Sequence, residues 1–89
     1  HDVEEITDNQ LAPNKYQFFA RLDIDVVNQK YELNLPESDE YETLAGLILH
    51  HLEEIPKKDD VIELEEFQFT IIKVNDPAIQ EVELEVIAR

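Results

Sequence analysis

Two adjacent histidines, His50 and His51, are the side chains of this sequence best suited to hold a metal or move a proton. They lie in a stretch that reads as helix, where neighbouring side chains diverge by about 100° and cannot easily share one ion. Glu54 follows His50 by four residues, a spacing at which two helical side chains can meet. Two ligands are too few for a zinc site, so the pair reads as helix-surface histidines, with His51 partly packed at the edge of the core. Carboxylate pairs occur at Asp23/Asp25 and Asp59/Asp60. General acid–base work needs such a pair in a concave, partly desolvated site, and both pairs fall at element ends or turns. Asp59-Asp60 is expected to form a turn, because aspartate tolerates left-handed geometry. Loops of this kind can bind divalent cations weakly, but none has the ligand spacing of an EF-hand.

Nucleophiles are scarce. Cysteine is absent, and the lone serine, Ser38, sits in an acidic stretch without a histidine partner. A phosphate-cradling loop needs several glycines, and the chain has only Gly46. Gly46 falls inside the strongest helical pattern, where it costs about 1 kcal/mol against alanine. A close contact with a neighbouring strand would account for it. These residue types predict a chain that is not an enzyme. No catalytic or metal residue is assigned, cofactor-binding residues stay undefined, and no cofactor is expected.

The elements that must carry these residues follow from periodicity. Tyr16, Phe18, Ala20 and Leu22 alternate with Gln17, Phe19 and Arg21, which predicts a half-buried strand. Asp23 is then a candidate helix N-cap through its carboxylate, and Ile24, Val27 and Tyr31 predict a short helix to about Leu33. Leu35-Pro36 stops it. Glu37 to Glu42 is a solvated acidic loop, and Thr43 is a second N-cap candidate. Leu44, Leu47, Ile48, His51, Leu52 and Ile55 repeat at helical spacing up to Pro56. Ile62 and Leu64 predict a strand edged by Glu63 and Glu65. Phe67 to Val74 is apolar on both faces and predicts a strand inside the sheet. Asn75-Asp76-Pro77 is a turn. Val82, Leu84 and Val86 face inward opposite Glu81, Glu83 and Glu85. The expected fold is α+β, a mainly antiparallel four-stranded sheet with two helices on one face, in the order β-α-α-β-β-β. Residues 1–15 read as a linker from a preceding, absent domain, and 16–89 as the domain itself.

Charge narrows the partners. The chain of 89 residues carries 22 acids against 7 Lys and Arg, a formal net charge of −15. Eleven acids fall in residues 1–42 and eleven in 43–89, so the surface is acidic throughout rather than at one tail. Nucleic acid and anionic lipid are excluded as partners, because both demand a basic surface. Solubility is the plain reading; attraction of cations or of a basic partner is the sharper one. No apolar run approaches the roughly 20 residues that span a bilayer. An exposed sheet edge could pair between copies, which keeps a homodimer open.

The central helix and its flanks carry a family resemblance. Thr43-Leu44-Ala45-Gly46-Leu47-Ile48-Leu49, followed by Leu52 and Ile55-Pro56, resembles the core of the CorC/HlyC transporter-associated domain. Phe18 to Ile24, Leu35-Pro36 with the acidic loop into Tyr41-Glu42-Thr43, and Phe67-Gln68-Phe69-Thr70-Ile71 are similar to its other segments. The likeness runs from Tyr16 to Val86. It departs at Asp59-Asp60 and Glu65-Glu66, where the family often has glycine. The resemblance implies a non-catalytic C-terminal module of hemolysin-like or magnesium and cobalt efflux proteins. It would lie at the cytoplasmic face of the bacterial inner membrane and modulate divalent-cation transport. It implies as partners the CBS domains and the membrane domain of the same protein, and His1 to Glu5 resembles the tail leaving a CBS domain. The alternative it suggests is binding of a nucleotide or an FAD-like ligand. The missing glycine loop and the scarcity of bases weigh against that alternative.

Overall fold

The computed structural model describes residues 8–75 and 78–87. His1 to Thr7, the first part of the expected linker, lie outside the described residues, as does the Asp76-Pro77 part of the expected turn. The element order is β1 (Asp8–Ala12), β2 (Lys15–Phe19), α1 (Ile24–Tyr31), α2 (Leu44–Leu52), β3 (Val61–Leu64), β4 (Phe67–Asn75) and β5 (Ala78–Val86). All pairings are antiparallel and the sheet order is β1-β2-β5-β4-β3. The helices thus carry the chain from β2 across to the far edge, and a β3-β4-β5 meander returns it to β2.

The sheet has five strands, not the expected four. The added strand, β1, lies within the segment expected as linker. Its residues are half-buried or exposed throughout, so no apolar alternation announces it. It is held by pairing with β2, by the Lys30 Nζ–Asp8 Oδ2 ion pair at 2.6 Å, and by the Tyr31 hydroxyl donating to the Asp8 carbonyl at 3.1 Å. That hydrogen bond from Lys30 to Asp8 raises the lysine pKa above its usual value. Long-range partners, not local preference, make this strand.

The alternation read for the other strands sets the core. Register aligns Tyr16 with Leu84, Leu84 with Phe69, and Phe69 with Ile62; it likewise aligns Phe18 with Val82 and Val82 with Ile71. All are buried on one face, and both helices pack there through Ile24, Val27, Leu44, Leu47 and Ile48. Tyr31 of α1 meets the rings of Tyr16 and Phe18 at centroid distances of 5.0 and 5.5 Å. Among the described residues no polar or charged side chain is buried.

The helices differ from expectation at their ends. Thr43 caps α2 as anticipated, its hydroxyl accepting the Gly46 N–H at 3.1 Å. Asp23 makes no side-chain cap bond. The Ile24 N–H donates to the Glu42 carbonyl at 2.8 Å, and a bridge between Asp23 and Thr43 ties the two helix starts together. α2 stops at Leu52, short of Pro56, because Glu53 turns left-handed at φ 63. Ile55 is therefore 45 % exposed rather than part of the core.

Among the described residues, four other than glycine have positive φ: Glu32, Glu53, Asp59 and Glu65. Two end the helices, and the other two lie in the turns where the resembling family often has glycine. The left-handed conformation costs a side-chain-bearing residue about 1–2 kcal/mol, so an acid in these turns is a local strain that the packed elements on either side hold in place.

Candidate functional site

Two clefts among the described residues meet at Tyr41. One, of about 340 Å³, opens at the start of α1 and is lined by Asp23, Asp25, Glu37, Ser38, Tyr41 and Glu42 among others. The segment that brings Glu37 and Ser38 to it is held by Asn28, whose amide clamps the chain after α1. Asn28 Nδ2 donates to the Leu35 carbonyl and to Glu37 Oε2, both at 3.0 Å, while its Oδ1 accepts the Leu35 N–H at 2.9 Å. Ser38 Oγ accepts the Glu40 N–H at 3.0 Å and so serves the loop turn rather than a reaction. With four carboxylates around it, this cleft repels phosphates and attracts cations.

The other cleft, of about 300 Å³, lies between α2 and the β3–β4 hairpin, with Leu47, His50, His51, Glu63, Leu64 and Glu65 in its lining. Both histidines are exposed, so His51 is not packed at the core edge as expected. His50 Nε2 stands 3.4 Å from Glu40 Oε1, and its ring lies 5.3 Å from that of Tyr41. Glu54 falls beyond the end of α2, so the helical His50–Glu54 spacing is not realised. Among the described residues no three His, Cys, Asp or Glu side chains are grouped to hold a metal ion.

Asp59 and Asp60 form the expected turn. Asp60 Oδ2 accepts the Lys57 N–H at 2.8 Å, and Asp59 supplies the left-handed residue at φ 76. Gly46 does sit at a close approach, but not to a sheet strand. A Cβ there would come within 2.9 Å of Tyr41 Cβ, because the Tyr41 loop crosses the first turn of α2. Tyr41, marked in the sequence only as part of the family-like segment Tyr41-Glu42-Thr43, lines both clefts. Its hydroxyl donates to the Pro36 carbonyl at 3.1 Å, and burial, with Glu65 and Glu40 nearby, raises its pKa above 10.0. The signal for it was its place five residues before the lone helical glycine.

The sheet face away from the helices is uncovered. It displays Glu81, Glu83 and Glu85 beside Lys15 and Gln17. Lys15 Nζ lies 3.4 Å from Glu83 Oε2, and Gln17 Nε2 donates to Glu81 Oε1 at 3.4 Å. Nothing in this row forms a reacting constellation; it is a charged plane.

Residues 9–88 match the transporter associated domain family CorC_HlyC. The chain belongs to that family. The curated relatives include the UPF0053 protein YegH of Escherichia coli, 25 % identical over 84 residues. That match covers 94 % of this chain but only 15 % of YegH, so the CorC_HlyC domain spans a small part of the curated relatives it matches. The CorC_HlyC transporter associated domain of Nitrosomonas europaea superposes with a TM-score of 0.80 at 24 % identity, covering 93 % of this chain and 99 % of that one. The transporter associated domain of a CBS domain protein from Porphyromonas gingivalis gives 0.76 at 26 % identity, covering 90 % and 97 %. Among the described residues of this CorC_HlyC domain, no helix is long and apolar enough to cross a membrane.

Proposed function

We propose that this CorC_HlyC domain is a non-catalytic regulatory module that modulates magnesium or cobalt transport by a larger membrane protein. It acts from the cytoplasmic side, through contacts with the CBS domains and the membrane domain of that protein. The observation that carries the reading is the pairing of a transporter associated family with a match to 15 % of a much longer relative. Among its described residues the core is apolar, and the polar and charged side chains lie at the surface. The relative from a CBS domain protein supports the CBS partner. The four carboxylates of the cleft at α1 weigh against a nucleotide or FAD-like ligand, since phosphates would be repelled there.

Deleting residues 16–89 from the intact protein and measuring cation flux with membrane vesicles tests this directly. Loss of regulated transport, with the membrane part still assembled, is the expected result. Regulation unchanged by the deletion would sink the proposal. Calorimetric titration of the isolated domain with Mg²⁺, Co²⁺, ATP and FAD complements it, and tight binding of ATP or FAD would favour the ligand-binding alternative.

A further inference from the structure

The two edges of the sheet are managed differently. β1 is irregular, its register shifting between Gln10 and Ala12, and its first residue, Asp8, is tied to α1. β3 is regular. Val61 pairs with Thr70, Ile62 with Phe69, Glu63 with Gln68 and Leu64 with Phe67, with no shift. The two-residue turn makes Leu64 and Phe67 a hydrogen-bonded pair, and Ile71 N–H donating to the Asp60 carbonyl at 2.9 Å continues the same alternation. Ile62 and Leu64 therefore turn their backbone groups toward β4. Val61 and Glu63 turn theirs outward, and both residues are exposed, Val61 by 56 %.

Beside this edge, on the helix side, lies the 300 Å³ cleft with Leu47 and Leu64 in its wall. Around the edge, Asp59, Asp60, Glu63, Glu65 and Glu66 outnumber Lys57 and Lys58. A strand added here would place alternate side chains into the cleft and the others on the open face beside Glu63. We infer that the β3 edge is a docking site for an extended segment alternating basic and apolar residues. Such a segment extends the sheet by one strand, its apolar side chains entering the cleft and its basic ones meeting the acidic rim. A second copy of this chain fits worse, because β3 against β3 sets these acids against themselves. The inference deepens the regulatory reading and rests on it only for the partner being part of the same transporter.

The test is hydrogen exchange by NMR on the isolated chain, with a short capped peptide alternating lysine and valine as the probe. Its family relatives superpose over nearly their whole chains, as self-contained domains. Binding is expected to slow exchange at the Val61 and Glu63 amides and to weaken with salt. Glu63→Lys should weaken it about tenfold by setting like charges together. Val61→Pro, which removes only an outward donor, should abolish it with the melting temperature little changed. A peptide N-methylated at alternate residues keeps the charge but loses the ladder, and it should not bind even if the proline variant fails to fold. Equal binding of the methylated peptide, or protection elsewhere, would overturn the inference. So would protection of the same two amides in the free chain at high concentration, which would make the second copy the occupant. Absent binding with transport regulation still lost on deletion sinks this surface alone. Binding with regulation intact sinks the regulatory reading alone.

Discussion

The two faces of the sheet are written in the same strands with opposite chemistry. In β5, Val82 and Leu84 are completely buried, while Glu81, Glu83 and Glu85 between and beside them remain half-exposed. In β4, Phe69 and Ile71 are buried and Thr70 between them is half-exposed. The inner face holds the fold together. The outer face leaves a row of half-exposed carboxylates beside solvent. The contrast separates what folds this domain from what it offers to a partner.

Truncation inside the inner face should give the largest effect. Phe69→Ala removes a ring that touches both helices' side of the sheet at its centre, and a loss of about 3–5 kcal/mol is expected in urea unfolding. A loss under about 1 kcal/mol would mean the core is looser than its burial implies. On the outer face the sign should reverse. Glu85→Thr removes one charge from the row and adds a β-branched residue, so a gain of about 0.5–1 kcal/mol is expected. A clear loss there would show that the acid row is structural after all. The smallest effect lies at the rim of the covered side, where burial raises the Tyr41 pKa. The folded state binds that proton more tightly than the unfolded state. Its contribution is therefore intact below pH 10.0 and is lost as pH rises through the raised folded value. Tyr41→Phe should flatten the alkaline fall of stability over that window, and an unchanged fall would place its cause elsewhere.

Much of this was legible in the residues. Val82, Leu84, Phe67 and Phe69 alternate cleanly, so their strands and inward faces could be read directly. Thr43 and the apolar repeat after it announced α2. Asp59 and Asp60 announced their turn. Three features were not legible. β1 has no pattern of its own and exists because β2, Lys30 and Tyr31 hold it. Asp23 has the type and the place of a capping residue, yet its side chain makes no cap bond. Ile55 fits the helical repeat but is exposed, because Glu53 ends the helix early. The candidate surfaces were less legible still. The acids of the α1 cleft come from two separate segments, and the β3 edge is an edge only because β5 inserts between β2 and β4.

The sequence by itself determined the class of the fold, the inward residues of four strands, the acidic character of the surface and the family. These depend on local periodicity, composition and short patterns, which are present in the chain before it folds. Tertiary structure alone decided the fifth strand, the order of the sheet, the meeting of two clefts at Tyr41 and the open edge of β3. Each depends on which distant groups satisfy a backbone donor or acceptor. The same N–H or carbonyl can be satisfied in several ways, and only the folded arrangement selects one of them.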